Sequence, residues 1–242
     1  MPAHDSELGP DHENFADRRT LVVVAKRPRA GEVKTRIAAT LGPDVAARVY
    51  ESALLDTLDL VRSCAASPLL SFAPPTPEAR SFFTALAPDF ALAPQLGEDF
   101  GARLVSAFRA AFDTGARAVV LIGTDNPSLP RAHVQSAFDA LARPDVDVVL
   151  GAVTDGGYYL LGMKHLHDVL FQRIAWSTEV VADQTRERAR EGGLHLVDVA
   201  SWYDLDVEDD LRTLLSDVRT VEDGRAPRTR ALLESLKSEA AK

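Results

Sequence analysis

The sequence predicts an α/β protein, a mostly parallel β-sheet flanked by helices on both faces and folded as a single domain. Two observations carry this. Short continuous apolar runs rich in Val, Leu and Ile, at residues 21–25 and 118–122, fit strands buried on both faces. These runs alternate with segments whose apolar residues recur at helical spacing, the pattern of strand–helix–strand units.

Taken in order, residues 21–25 read as the first strand, followed by a Pro- and Gly-containing loop at 27–31. A short helix over 33–41 is stopped by Gly42, and Pro43 is suited to open the next helix. There Val45, Val49, Ala53, Leu54, Thr57, Leu58 and Val61 share a face. Residues 69–73 read as a strand, 77–86 as a helix and 90–93 as a short strand. An amphipathic helix over 98–114 presents Leu104, Val105, Phe108, Ala111 and Phe112 on one face, with Gly115 placed to cap it. The clearest buried strand, 118–122, precedes a helix at 130–142 and a strand at 146–152. After Thr154 the alternation changes to a strand at 158–163, a helix at 177–190, a strand at 194–199 and a helix at 207–215. No internal repeat or long linker divides the chain, which reads as a disordered N-terminal tail (1–19), one folded domain (20–221) and a charged tail or surface helix (222–242).

Bulk composition narrows the function. With 242 residues, 46% hydrophobic and 26% charged, the chain can bury a sizeable core. A formal charge of −9 argues against broad attachment to nucleic acid or an anionic membrane. The single cysteine, Cys64, excludes a disulfide framework or a Cys-based zinc site within one chain, and reads as a packed or partly exposed thiol. Residues 1–19 lack the basic start and apolar run of a signal peptide, and no segment approaches the roughly 20 apolar residues of a membrane span. The expectation is a cytoplasmic protein without membrane insertion.

Chemistry concentrates at strand ends. Lys26 to Arg36 leaves a buried strand and enters a helix, the edge of an open α/β sheet where ligands bind. Gly31 allows close backbone approach, while Lys34 and Arg36 supply a point charge and a planar fork suited to phosphate. Neither G-x-x-x-x-G-K-[ST] nor G-x-G-x-x-G is present, so the loop reads as a phosphate grip or as a solvated basic turn. Asp125, just past the strongest strand, is poised for a divalent metal or caps a turn with Asn126 and Pro127. Asp204 and Asp206 alternate, so on an extended backbone both face one way and complete a metal site; in the competing reading Asp206 is the N-cap of the following helix. Asp155-Gly156-Gly157-Tyr158 either binds or deprotonates an acceptor hydroxyl or is a hairpin turn. Trp176-Ser177-Thr178 either touches an acceptor or begins a helix with Ser177 as N-cap. None of the six His residues lies in H-E-x-x-H, and G-x-S-x-G is absent, which argues against a zincin or a nucleophile-elbow hydrolase.

Together these stretches resemble the bacterial transferase 1, or arsenosugar-type glycosyltransferase, family of the GT-A-like (Rossmann-like) nucleotide-diphospho-sugar transferase superfamily. The resemblance runs from about residue 21 to 214. It rests on A-K-x-P-x-x-G-x-V-K-T-R at 25–36, Q-x-G-x-D-x-G-x-R at 95–103, I-G-T-D-x-P at 122–127, D-G-G-Y-Y-L-x-G at 155–162 and W-S-T at 176–178. D-x-D-x-x-x-D-L at 204–211 also fits, although related nucleotidyltransferases often have Thr-Pro where this chain has Val207-Glu208. The resemblance implies that Lys26, Gly31, Lys34 and Arg36 hold donor phosphates, with Gln95, Asp99 and Arg103 near the nucleoside. It implies metal binding, Mg²⁺ or Mn²⁺, at Asp125 with Asp204 or Asp206. Asp155 and Asp125 become the catalytic candidates, and Gly156, Gly157, Tyr158, Trp176, Ser177 and Thr178 line the acceptor side.

The implied activity is glycosyl transfer from a nucleotide-diphospho-sugar to a small-molecule acceptor. The alternatives are a guanylyltransferase-like nucleotidylyltransferase, joining an NTP to a small phosphorylated acceptor, and a non-catalytic nucleotide-binding protein. The 2-phospholactate guanylyltransferases belong to the same superfamily. A homodimer is compatible with each, and nucleic acid is not an expected partner.

Overall fold

The computed structural model describes residues 18–240, so residues 1–17 of the expected tail lie outside the described residues. Among the described residues seven strands form one sheet: β1 (Arg19–Lys26), β2 (Ser67–Ala73), β3 (Ala91–Pro94), β4 (Ala118–Ile122), β5 (Val148–Val153), β6 (Tyr158–Met163) and β7 (Leu196–Trp202). Their spatial order is β3-β2-β1-β4-β6-β5-β7. β1 pairs in parallel with β2 and β4, β2 with β3, and β5 with β7; β6 is antiparallel to both of its neighbours. The fold is thus a mostly parallel sheet flanked by helices. The antiparallel strand follows from the short turn at residues 154–157, which sends the chain straight back between β4 and β5.

Helices cover both faces. They are α1 (Thr35–Leu41), α2 (Pro43–Ser63), α3 (Pro77–Leu86), α4 (Phe100–Phe112), α5 (Arg131–Leu141), α6 (Val181–Glu191), α7 (Glu208–Ser216), α8 (Val218–Glu222) and α9 (Pro227–Ala240), with a 3₁₀ turn at Asp168–Phe171. The alternation of side chains along a strand assigns the layers. Leu21, Val23 and Ala25 of β1 pack with Leu58 of α2, Phe83 of α3 and Phe138 of α5. Val22 faces the other way, toward Leu104 and Phe108 of α4 and Ala182 of α6. All five residues of β4 are buried, as a central parallel strand requires.

Several boundaries differ from the sequence expectation for local reasons. α4 starts at Phe100 rather than residue 98 because the Asp99 side chain accepts from the Ala102 N–H at 2.7 Å and caps the helix there. α6 starts at Val181, not residue 177; Ser177 takes φ 64, so it sits in a turn and is not the N-cap. Residues 227–240 form a helix docked on α2, anchored by the buried Asp56. Its carboxylate accepts from the Thr229 N–H (2.9 Å), the Thr229 hydroxyl (2.8 Å) and the Arg228 N–H (3.1 Å). Cys64 ends α2, half-buried, its thiol donating to the Leu60 carbonyl at 3.3 Å.

A third apolar cluster joins Ile37 of α1, Val49 of α2, Leu205, Leu211 and Leu214 near α7, and Leu233 of α9. Through it the C-terminal helix braces the two segments that carry Lys34 and Asp206. No helix among the described residues is long and apolar enough to cross a membrane.

Candidate functional site

A cleft of about 830 Å³ lies over the C-terminal ends of β1, β4 and β5 and the start of β6. The strand order reverses at β1, with β2 on one side and β4 on the other. The loops that follow β1 and β4 therefore part and leave a crevice at the carboxyl edge.

Lys34 ties one wall together. Its backbone is left-handed (φ 46, ψ 49), which costs a non-glycine residue roughly 1–2 kcal/mol. The side chain runs inward and is 4% exposed. Its ammonium donates to the Leu205 carbonyl and pairs with the Asp125 carboxylate, so the buried charge is satisfied. The β4 and β7 ends are laced further: the Leu205 N–H donates to the Asp125 carbonyl (2.8 Å), and the Asn126 amide donates to the Tyr203 carbonyl (2.8 Å). Asp125 keeps half of its side chain open to the cleft.

Arg36 and Asp206 form an ion pair at 2.5 Å on the exposed rim. Asp206 does not cap α7: the Asp210 carboxylate reaches back to accept from the Asp206 and Val207 N–H groups, both at 2.7 Å. The Asp204 carboxyl instead turns toward the acids of the neighbouring strand ends. Burial first, then the charges of Asp155 and Asp125, push it up from 3.8 to about 6. Asp204 and Asp206 both line the cleft, but their partners differ: Asp206 pairs with Arg36, while Asp204 feels the charges of Asp155 and Asp125. Among the described residues, no three His, Cys, Asp or Glu side chains converge closely enough to enclose a metal.

The opposite wall is aromatic and apolar. Phe100 meets the edge of Trp176 with ring centres 5.2 Å apart, and the Arg103 guanidinium lies 5.8 Å from the Phe100 ring centre. Leu104, Tyr158 and Val181 complete this side. The Tyr158 hydroxyl is buried and has no hydrogen-bond partner among the described residues, and burial raises its pKa. Asp155 accepts from the Gly157 N–H at 3.1 Å, closing the turn that leads into β6. Gly156 must be glycine here. Its φ is 93, and a Cβ would stand 1.8 Å from the Glu179 carbonyl oxygen.

Of the residues singled out in the sequence, Lys26, Lys34, Arg36, Gln95, Arg103, Asp125, Asp155, Gly157, Tyr158, Trp176, Ser177, Thr178, Asp204 and Asp206 line this one cleft. Gly31, Asp99 and Gly156 do not line it; Asp99 borders a separate groove along α4. Gln95 lines the floor, with its amide donating to the backbone carbonyls of Ser71 (2.8 Å) and Ala25 (3.4 Å). Sequence reasoning passed over Tyr50, and gave no side-chain role to Thr124 or turn residue Asn126 beyond the motif; all three hold the strand ends in place. The one available signal was a phenol set at position 50 among the apolar residues of α2.

The fold is of the GT-A-like type, a mostly parallel sheet with helices on both faces and a cleft at the carboxyl edge of its strands. Residues 57–178 match the family described as uncharacterized protein conserved in bacteria (DUF2064), and the chain belongs to that family. A solved structure from Desulfovibrio desulfuricans G20, provisionally named a nucleotide-diphospho-sugar transferase, is 30% identical. The match covers 92% of this chain and 96% of that one, with a TM-score of 0.82. The 4-diphosphocytidyl-2C-methyl-D-erythritol synthase of Anaerococcus prevotii DSM 20548 shares the fold at 11% identity, over 90% of this chain and 97% of that one (TM-score 0.54). A nucleotidyl transferase from Methanothermobacter does so at 16% identity, over 81% and 95% (TM-score 0.52). No curated protein matches the sequence.

Proposed function

We propose that this chain is a divalent-metal-assisted glycosyltransferase that takes a nucleotide-diphospho-sugar donor and a small-molecule acceptor in the cleft. The observation that carries the reading is one cleft holding two cations of the β1 loop, Lys34 and Arg36, beside three strand-end carboxylates, Asp125, Asp155 and Asp204. The provisional name of the D. desulfuricans relative supports it.

The acids suit Mg²⁺ or Mn²⁺. Their oxygens are hard donors, and the Asp204 carboxyl, raised first by burial and then by the charges of Asp155 and Asp125, stands in a field that a cation relieves. Mg²⁺ binds through one or two carboxylates and keeps waters and substrate oxygens, so an enclosing set of three is not required. Asp125 and Asp204 would hold it, and it would help neutralise the departing diphosphate. Asp206 serves by holding Arg36.

The chain's own residues do the rest. Lys34 can pass from Asp125 to a phosphate oxygen while the Leu205 carbonyl keeps it in place, and Arg36 can exchange Asp206 for phosphate. Lys26 and Arg103 add charge along the donor path, and Gln95 keeps its floor rigid. Asp155 is the candidate base for an acceptor hydroxyl, beside an acceptor wall of Gly157, Tyr158, Trp176, Ser177 and Thr178.

A second reading, nucleotidyl transfer from an NTP, is favoured by the four cations lining the cleft, Lys26, Lys34, Arg36 and Arg103, since a triphosphate carries more charge. Panels of nucleotide-diphospho-sugars and NTPs with Mg²⁺ separate the two. Nucleoside diphosphate release supports the first reading and pyrophosphate release the second; binding of neither class overturns both. Asp125→Ala is expected to abolish metal-dependent nucleotide binding, and unchanged affinity would remove Asp125 from the site.

A further inference from the structure

Tyr50 lies in the middle of α2, is 5% exposed, and presents its hydroxyl to the floor of the cleft between the ends of β1 and β4. Two groups donate to that oxygen: the Lys26 backbone N–H at 2.7 Å and the Thr124 hydroxyl at 3.2 Å. A phenol oxygen has two lone pairs and one proton. Both lone pairs are taken, and among the described residues no acceptor pairs with the proton. The open direction is the cleft, beside Lys26, Gly123 and Asp125.

We infer that Tyr50 is a substrate-binding residue whose phenolic proton is donated to a phosphate oxygen of the bound nucleotide. The inference rests on the nucleotide reading above and adds to it a neutral donor fixed on a helix, between the two loops that carry the charged groups. Three features favour a phosphate oxygen as the acceptor. Lys26 and Lys34 line the same cleft and supply positive charge that an anion bound there can pair with. Each lone pair of Tyr50 that accepts a hydrogen bond polarises the O–H and strengthens it as a donor. Burial holds the pKa up at about 12, so the proton is present throughout the working range. The two received bonds also orient the phenol, so little freedom is lost when the ligand arrives.

The test uses pyrophosphate and UDP, each with Mg²⁺, and reads affinity by calorimetry beside a thermal melt. Tyr50→Phe removes the proton and is expected to weaken both ligands roughly 10- to 100-fold, the range for a hydrogen bond to a charged group. A second variant carries 3,5-difluorotyrosine at position 50, which keeps the shape and the two acceptor bonds but has a more acidic phenol. Its affinity is expected to fall as pH rises through the titration of that phenol, with no such fall in the natural protein. A purely structural tie between β1 and β4 would not produce that pH dependence. Natural protein that binds the ligands while both variants match it overturns the inference alone. Natural protein that binds no phosphate ligand overturns the nucleotide reading and this inference together. Should Tyr50→Phe fail to fold, the difluorotyrosine profile decides by itself.

Discussion

Asp204→Asn tests the electrostatics of the cleft directly. In the folded chain the Asp204 carboxyl is raised from 3.8 to about 6 by burial and by the charges of Asp155 and Asp125. A displacement of that size corresponds to about 3 kcal/mol against the charged form, and solvent reaching a half-buried carboxylate screens it to roughly 1–1.5 kcal/mol. The sign follows from proton counting. Below about 3.8 both folded and unfolded chains hold the proton and there is no penalty. Between 3.8 and about 6 the folded chain holds a proton that the unfolded chain has released, so stability falls as pH rises. Above that window the penalty is constant. Asparagine copies the protonated shape without the charge. Asp204→Asn should therefore melt with the natural protein near pH 3.5 and about 2–6 °C above it at pH 8, using the 2–4 °C per kcal/mol of domains this size. Melts between pH 3.5 and 8 in the presence of a chelator check this. A variant that is no more stable at pH 8, or whose difference does not change with pH, refutes the reasoning. With Mg²⁺ in place of the chelator, the natural protein should recover the difference, because the cation supplies the charge that the acids lack.

Two further substitutions probe the scaffold. Asp56→Ala strands the Thr229 N–H, the Thr229 hydroxyl and the Arg228 N–H at the start of α9. About 3 kcal/mol of destabilisation is expected, a fall of roughly 6–12 °C in Tm, with earlier proteolysis between α8 and α9; a melt within 2 °C of the natural one contradicts this. Gly156→Ala forces a Cβ to within 1.8 Å of the Glu179 carbonyl oxygen at φ 93. The expected cost is roughly 2–3 kcal/mol, read as a lower denaturation midpoint in urea, and an unchanged midpoint would mean that the 154–157 turn does not pack on Glu179.

The five strands up to β5 were legible because each is a short apolar run, and a strand buried on both faces leaves little room for polar residues. β6 was legible to the residue, since the turn residues before it mark its start. Its antiparallel insertion between β4 and β5 was not, because periodicity carries no information about which neighbour a strand chooses. The start of α6 was misplaced because Ser177 has the chemistry of an N-cap but a left-handed backbone. Of the two readings open for Asp206, the N-cap one fails for a related reason: the cap of α7 is completed from inside the helix by Asp210.

For the site, the sequence by itself determined the chemistry: cations after β1, and acids after β4, β5 and β7, each just past a strand. Residue type and order along the chain are enough for that, since strand ends in a parallel sheet share one edge. Only the tertiary structure decided the partners. Lys34 meets Asp125 and the Leu205 carbonyl, 91 and 171 positions away, and Asp204 is set close enough to Asp155 and Asp125 to feel their charges. Tyr50 entered the cleft by the same route, from a helix face that reads as core in one dimension. Long-range pairings of this kind depend on strand order and loop curvature, which the packing of the whole sheet sets and no local pattern encodes.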